Sequence, residues 1–494
     1  MSDKLRAASA LFAAAIIFSA AACGESSEPS AQAQQTSAQT GESVPAAEET
    51  TAETSILDTL PTGLDFEGYE IHILAPASLD ETYAAYLMPE EENGDILNDT
   101  AYRRNRDVEE RYNVKLVNSF IDGGQLTSTL NKSVTAGSDD YQYCHFGSAW
   151  ESPISLIKSG ALMNLREMPE LNLDSPGFYT EFTNELTINN RSYVAFSQYG
   201  NAGALPLYMV FNKNMIADYG LDLPYQAIFD GVWTWDMFQS YIKNVYSDIN
   251  GNGKKDKEDR FGYGNNAGLC NYLVWGFDIH VVTRTDDGGY TSDILNQKFV
   301  EAAQKIIDFK SGDDIFVPND INATNTDDRH MFLFGNVMFT NVGTFSLDGH
   351  LRGIETFDFG IAPDPKLDES QQKYSNYHAL NEFAVPVTVG RPDAVAYVVE
   401  GLAAISKADL APAFIDVYFQ EKLLRDEESK QVAALLMEQS AIDPTRYFDF
   451  ASGNITPVTL LSKVKNSNEV VSKFTSINES AQKKAGDFFA VFFE

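Results

Sequence analysis

Between residues 69 and 146 the hydrophobic period switches back and forth between two and about 3.6, and few folds permit that. Tyr69-Glu70-Ile71-His72-Ile73-Leu74 alternates like a strand. Over 95–113 the pattern becomes helical, with Leu97, Ala101, Val108 and Tyr112 on one face. Arg103, Arg104, Arg106, Glu109 and Glu110 form the charged face. Val114-Lys115-Leu116-Val117 is a strand again, residues 126–136 a helix and residues 141–146 a third strand. A β-α-β-α-β series implies a mostly parallel sheet with right-handed crossovers.

The same alternation continues at lower density. Strands are expected at 206–211, 336–340 and 357–361, the last ended by Pro363-Asp364-Pro365. Helices are expected at 235–245, where Trp235, Phe238, Tyr241, Ile242 and Val245 share a face, and at 298–309. Helices at 393–405, 413–424 and 429–438 make the last third mainly helical. The chain from residue 57 to 494 is too long for one hydrophobic core. It reads as an α/β protein with two sheets, hence two lobes.

The N-terminus carries different information. Lys4 and Arg6 precede an apolar run over 7–22, and Cys23 follows Ala20-Ala21-Ala22. This is a secretory signal, residues 1–23, with a lipoprotein-type cleavage box and lipidation expected at Cys23. Ala20 stands where such boxes usually hold Leu, and plain cleavage without lipid is the competing reading. Residues 24–56 are rich in Ser, Thr, Ala, Gln and Glu and form a disordered tether. The expected place is therefore the extracytoplasmic face of the cell membrane, held by lipid.

A formal net charge of −35 excludes a basic surface for nucleic acid. Beyond Cys23 only Cys144 and Cys270 remain; two separate buried thiols are preferred to a disulfide. The six histidines are scattered and give no zinc spacing.

One loop does have metal spacing. In residues 248–259, Asp248, Asn250 and Asn252 fill positions one, three and five of a calcium loop, and Gly253 fills the turn at six. The Lys254 carbonyl, Asp256 and Asp259 fill seven, nine and twelve. Position eight is Lys255 where a paired sensor has an aliphatic residue, and position twelve is the shorter Asp. These departures point to one structural Ca²⁺ and away from a switch. A solvated Asn/Gly turn without metal is the bland alternative.

Several stretches, taken in order, resemble the extracellular solute-binding lipoproteins of ABC importers, in the carbohydrate-binding group that includes maltodextrin-type binders. Residues 94–114, with Arg103-Arg104-Asn105-Arg106 and Arg111-Tyr112-Asn113-Val114, look like the first lobe helix of that group. Leu207-Tyr208-Met209-Val210-Phe211-Asn212-Lys213 resembles its "YNK" crossover strand, with Phe211 for Tyr. Trp233-Thr234-Trp235-Asp236-Met237-Phe238 resembles the "P-x-TW-[DE]-x-F" helix start, with Val232 in place of Pro. Phe359-Gly360-Ile361-Ala362-Pro363-Asp364-Pro365 fits the "[FY]G-x-x-P-x-P" strand and turn.

The resemblance implies a two-lobed periplasmic-binding-protein-like clamp, each lobe a mainly parallel sheet flanked by helices. Lobe 1 would comprise 57–205 and mainly 341–405, lobe 2 206–340 and the helical 406–494. A monomer would capture a sugar, an oligosaccharide by expectation, in the cleft by hinge closure and pass it to permease subunits. Sugars need aromatic platforms and fixed polar partners. The candidates are Trp150, Tyr199 and Trp275, with Asn201, Asn341 and Thr344. Two further readings stand beside this one: a secreted carbohydrate-active enzyme, and a clamp-type sensor or adhesin for a peptide or another polar solute. No catalytic motif supports the enzyme.

Overall fold

The structure is a computed structural model describing residues 56–77, 86–122, 124–147, 152–286, 288–318, 331–342, 351–415, 424–448 and 455–493. The signal peptide, Cys23 and most of the tether lie outside the described residues, as do Trp150, Thr344 and most of the expected helix at 413–424.

The first lobe begins with β1 (Tyr69–Pro76), α1 (Ile96–Tyr112), β2 (Val114–Ile121), α2 (Leu126–Thr135) and β3 (Tyr143–His145). The start of α1 is set by Asp95, whose carboxylate accepts the Leu97 and Asn98 N–H groups. It ends at Asn113, which is left-handed at φ 48° and turns the chain directly into β2. β1 and β2 pair in parallel from Tyr69↔Val114 to Pro76↔Ile121, so β2 runs four residues past the alternation ending at Val117. Arg104, assigned to the charged face, is fully buried.

The second lobe contains β4 (Tyr208–Asn212), α3 (Trp235–Ile242), β5 (Phe261–Gly264), the hairpin β6 (Val282–Arg284) and β7 (Tyr290–Ser292), and α4 (Gln297–Lys310). Then come β8 (Ile315–Phe316), β9 (Val337–Val342) and β10 (Phe359–Ala362). α3 stops three residues before Val245, because the Asp314 carboxylate takes the N–H groups of Asn244 (3.0 Å) and Tyr246 (2.8 Å) and holds that segment out of the helix. The chain continues through β11 (Asn376–Tyr377), β12 (Phe383–Ala384), α5 (Pro392–Ile405), α6 (Glu427–Glu438), β13 (Ser440–Ala441) and the long α7 (Val470–Phe489).

The first sheet has the order β12-β3-β1-β2 and is parallel except for β12. The second has the order β10-β4-β9-β5-β8 and is mixed: β4, the strand that enters from the first lobe, runs antiparallel to both neighbours. β10 belongs to this second sheet, so the chain rejoins the first sheet at Phe383, beyond residue 341. One apolar cluster gathers Ile71, Ile73, Val108, Tyr143, Phe383 and Val399 around the first sheet. In the second lobe, Trp233, Phe238 and Tyr241 surround Phe339 with ring centroids 5.5–6.0 Å apart. Trp233 and Trp235 are both buried in the core. Cys144 and Cys270 are both buried and are not joined in a disulfide. No helix among the described residues is long and apolar enough to cross a membrane.

Candidate ligand-binding crevice

Parallel strands aim their last carbonyls and the loops that follow in one direction, and ligands of open α/β sheets bind there. In the first sheet this end holds Phe146, after β3; in the second it holds Asn265 to Asn271, after β5. Three stretches join the two ends. Residues 197–207 lead into β4, residues 376–382 return to β12, and residues 440–447 run beside them. Phe146 N–H donates to the Glu382 carbonyl (2.8 Å), Leu207 N–H to Tyr377 (2.8 Å) and His378 N–H to Ala441 (2.7 Å). The Tyr447 hydroxyl lies 3.2 Å from both the His378 and Leu380 carbonyls.

An aromatic wall rises on the second-lobe side. The Asn266 side chain caps a short helix by accepting Leu269 N–H (2.8 Å), and that helix delivers Tyr272 and Trp275. Trp275 stacks on Tyr377 with centroids 3.8 Å apart and planes 22° from parallel; Tyr272 lies 4.8 Å from Trp275 on another side. The Trp275 indole N–H donates to Asp443 (2.9 Å), whose other oxygen accepts from the N–H and hydroxyl of Thr445. Trp275 itself is only 7% exposed, whereas Tyr272 is part-exposed, so Tyr272 presents the stack to solvent.

Charge is concentrated behind this wall. Arg446 lies within electrostatic reach of Tyr377, Tyr272, Tyr447 and Glu382. Glu382 is fully buried, and burial pushes its carboxyl up to about 8 against the pull of Arg446. Deeper in the second lobe, the Asn341 carbonyl oxygen of the side chain accepts from the Tyr263 hydroxyl (2.8 Å) and its amide donates to Asp364. Burial pushes Asp364 up to about 7, and the Asn341 bond opposes this. Two buried histidines flank the connecting stretches, His145 and His378, and desolvation lowers them to about 3 and about 4.

Of the expected contact residues, only Trp275 sits in this wall. Tyr199 is enclosed: Arg104 lies 4.6 Å over its ring, Tyr143 meets it edge-on and its hydroxyl donates to Leu87 (3.2 Å). Asn201 ties two connecting stretches together, donating to Ser197 (3.0 Å) and Asn381 (2.8 Å) and accepting the Asn381 N–H (2.8 Å). Asn341 is fully used inside its lobe. Sequence reasoning did not select Tyr272, Tyr377, Glu382 or Arg446. The one signal was the aromatic-apolar run Tyr272 to Phe277 directly after an asparagine cluster.

The metal-spaced loop lies at the other end of β5. Ser247 and Arg260 exchange two backbone hydrogen bonds and close it. Asp248 accepts the Gly251 and Gly253 N–H groups (2.7 and 2.8 Å), while Asn250 and Asn252 each accept an N–H two residues on. Lys255 has a structural use: it donates to the Gly312 carbonyl (2.8 Å) and lies over the Tyr246 and Phe261 rings. Asp259 is fully buried; one oxygen accepts Asp256 N–H (3.1 Å) and the Tyr246 hydroxyl (3.4 Å), and the other has no partner. Among the described residues no three His, Cys, Asp or Glu side chains converge as a metal-binding group. The set of hard oxygens nonetheless suits a divalent cation, and the orphaned Asp259 oxygen lacks the positive partner a buried carboxylate requires.

A hollow of about 730 Å³ between α3 and α4 lies at the start of β8, opposite the carboxyl ends, and is lined by Asp236, Asp308, Asp313 and Lys305. It does not meet the geometry of an α/β ligand site.

No family model and no curated protein matches this chain. Solved structures do. The Listeria monocytogenes ABC substrate-binding protein Lmo0181, in complex with cycloalternan, superposes with a TM-score of 0.56 at 12% identity, over 85% of this chain and 99% of that one. An extracellular solute-binding protein of Staphylococcus aureus in complex with maltose gives 0.55 at 10% identity, over 86% and 99%. UgpB of Mycobacterium tuberculosis, in complex with glycerophosphocholine, gives 0.54 at 17% identity, over 78% and 95%. The fold is thus the two-lobed clamp of these binding proteins.

Proposed function

We propose that the protein is a membrane-anchored, extracytoplasmic solute-binding protein that captures a carbohydrate, in the first instance an oligosaccharide, for an ABC transporter. The observation that carries the reading is the Tyr272–Trp275–Tyr377 stack, fixed by Asp443 and placed at the carboxyl ends of the strands. A sugar offers apolar ring faces and a rim of hydroxyls, and a rigid aromatic stack beside buried polar groups matches both. That the fold is shared with proteins holding cycloalternan and maltose supports the same reading. The protein would act as a binder, closing its lobes as a monomer and meeting permease subunits, with lipid at Cys23 keeping it at the membrane.

Calcium belongs to this reading as a clip. Asp248, Asn250, Asn252, the Lys254 carbonyl, Asp256 and Asp259 would hold it, and its charge would neutralise the buried Asp259 carboxylate. The loop is remote from the aromatic wall, at the opposite end of β5.

Thermal-shift measurements on the purified protein test the function. Oligosaccharides should raise the melting temperature while unrelated peptides do not, since only a ligand of the native state stabilises it. Tyr272→Ala should weaken the best sugar by about 1 kcal/mol or more. Stabilisation by peptides and not by sugars would sink the carbohydrate reading.

A further inference from the structure

We infer that the solute carries an anionic group, a carboxylate such as that of a uronic acid, and that Arg446 receives it. This rests on the carbohydrate reading above and narrows it.

Arg446 sits one turn past Asp443, on the stretch that backs the aromatic wall. Its guanidinium carries five donors in a planar fork and cannot lose its charge at any physiological pH. It makes no hydrogen bond or ion pair among the described residues. Among the described residues its charge acts chiefly on Tyr272 from the second lobe, Tyr377 from the connecting strand, Glu382 beside the first sheet, and Tyr447 from its own helix. Three are tyrosines and offer no carboxylate. The fourth does not neutralise it either: one Glu382 oxygen is buried without a partner, and the burial that raises this carboxyl keeps it protonated at neutral pH. Asp443, three residues before it, is committed to Trp275 and Thr445, and Asp449, three residues after it, lies outside the described residues.

An arginine half-buried among rings with no partner among the described residues is costly unless something fills the fork. The protein has 71 acidic residues against 36 basic ones, so an unmatched arginine at this spot is not explained by a shortage of partners. Its charge reaches Tyr272, so an anionic group on a pyranose stacked against that tyrosine would fall within the field of the guanidinium. A neutral hexose puts a hydroxymethyl there; a uronic acid puts a planar carboxylate that the fork can grip in bidentate fashion.

Titration calorimetry with matched pairs decides it, using tri-galacturonate against galactotriose and a second uronate–neutral pair of different linkage. Binding of at least one uronate, lost by about 10- to 100-fold in Arg446→Gln and weakened by added salt, supports the inference. Arg446→Lys should recover part of the loss, and the melting temperature of both variants without ligand must match the parent, which separates recognition from folding. Tight binding of neutral sugars with no preference for their uronates overturns the inference and leaves the carbohydrate reading intact. Uronate binding unaffected by Arg446→Gln also overturns it. If no sugar of either kind binds, the carbohydrate reading falls and this one with it.

Discussion

Single residues in this protein are decided by what touches them, and Gly360 shows how sharply. A methyl group on its Cα would lie 2.1 Å from the Tyr225 hydroxyl and 2.4 Å from the Phe211 ring. The tyrosine cannot retreat freely, because its hydroxyl is bonded to Ser429 on α6 at 2.8 Å. Gly360→Ala should therefore cost about 1–3 kcal/mol by overpacking, read as a lower urea midpoint with an unchanged slope; an unchanged midpoint would mean that α6 yields. The sequence shows Gly360 within a familiar strand-and-turn motif but cannot show the ring it faces. The same limit explains the site. Tyr199, Asn201 and Asn341 have the residue types of sugar contacts, yet polarity does not reveal direction, and all three spend their polar atoms on neighbours. Arg104 was assigned to the charged face by its type, although it falls seven residues after Leu97, on the buried stripe that continues to Val108 and Tyr112. There it donates to the Tyr86 and Leu87 carbonyls and to Ser406.

Elements were readable where periodicity had room to repeat. The five elements from β1 to β3, and α4 and α5, lie within a few residues of their expected bounds, because each buries a stripe or an alternating face. β11, β12 and β13 have two residues each, too few to show a period, and they fasten the connecting stretches. The calcium loop is an element of another kind, read from ligand spacing. If the clip is real, millimolar Ca²⁺ should raise the melting temperature, the gain growing by about 1.4 kcal/mol per tenfold excess over the dissociation constant. Asp259→Asn should abolish the calcium response while leaving the apo protein as stable or more so, since it removes a buried charge whose free oxygen has no partner. A calcium shift that survives in Asp248→Ala/Asp259→Asn would place the ion elsewhere. The loop ends where β5 begins, and β5 leads into the asparagines and the aromatic wall. Ordering the loop thus fixes the near end of a strand whose far end faces solute.

On the scale of the molecule, four buried titratable groups in and around the segments that join the two sheets make stability depend on pH in a definite sense. Glu382 and Asp364 have carboxyls raised to about 8 and about 7, from ordinary values of 4.5 and 3.8. Both are protonated in either state below about pH 3, so they cost nothing there. As pH rises the unfolded chain ionises first, and stability is lost until the folded groups ionise too. His145 and His378 act oppositely: lowered to about 3 and about 4 from 6.5, they favour unfolding in acid, and the native state gains as pH rises from about 4 to 6.5. Between those limits the two pairs offset each other. Above pH 6.5 the histidines fade as they become neutral in both states, and the carboxyls dominate the difference. Stability should consequently decline from pH 6.5 to 8, by up to about 1.4 kcal/mol per pH unit for each group not yet ionised in the fold. Urea denaturation at pH 6.5, 7.25 and 8 measures the slope, and Glu382→Gln should flatten it by roughly one proton's worth. A slope identical in parent and variant would show Glu382 already charged at pH 6.5, paired with Arg446, and would remove the vacancy into which an acidic sugar is inferred to fit.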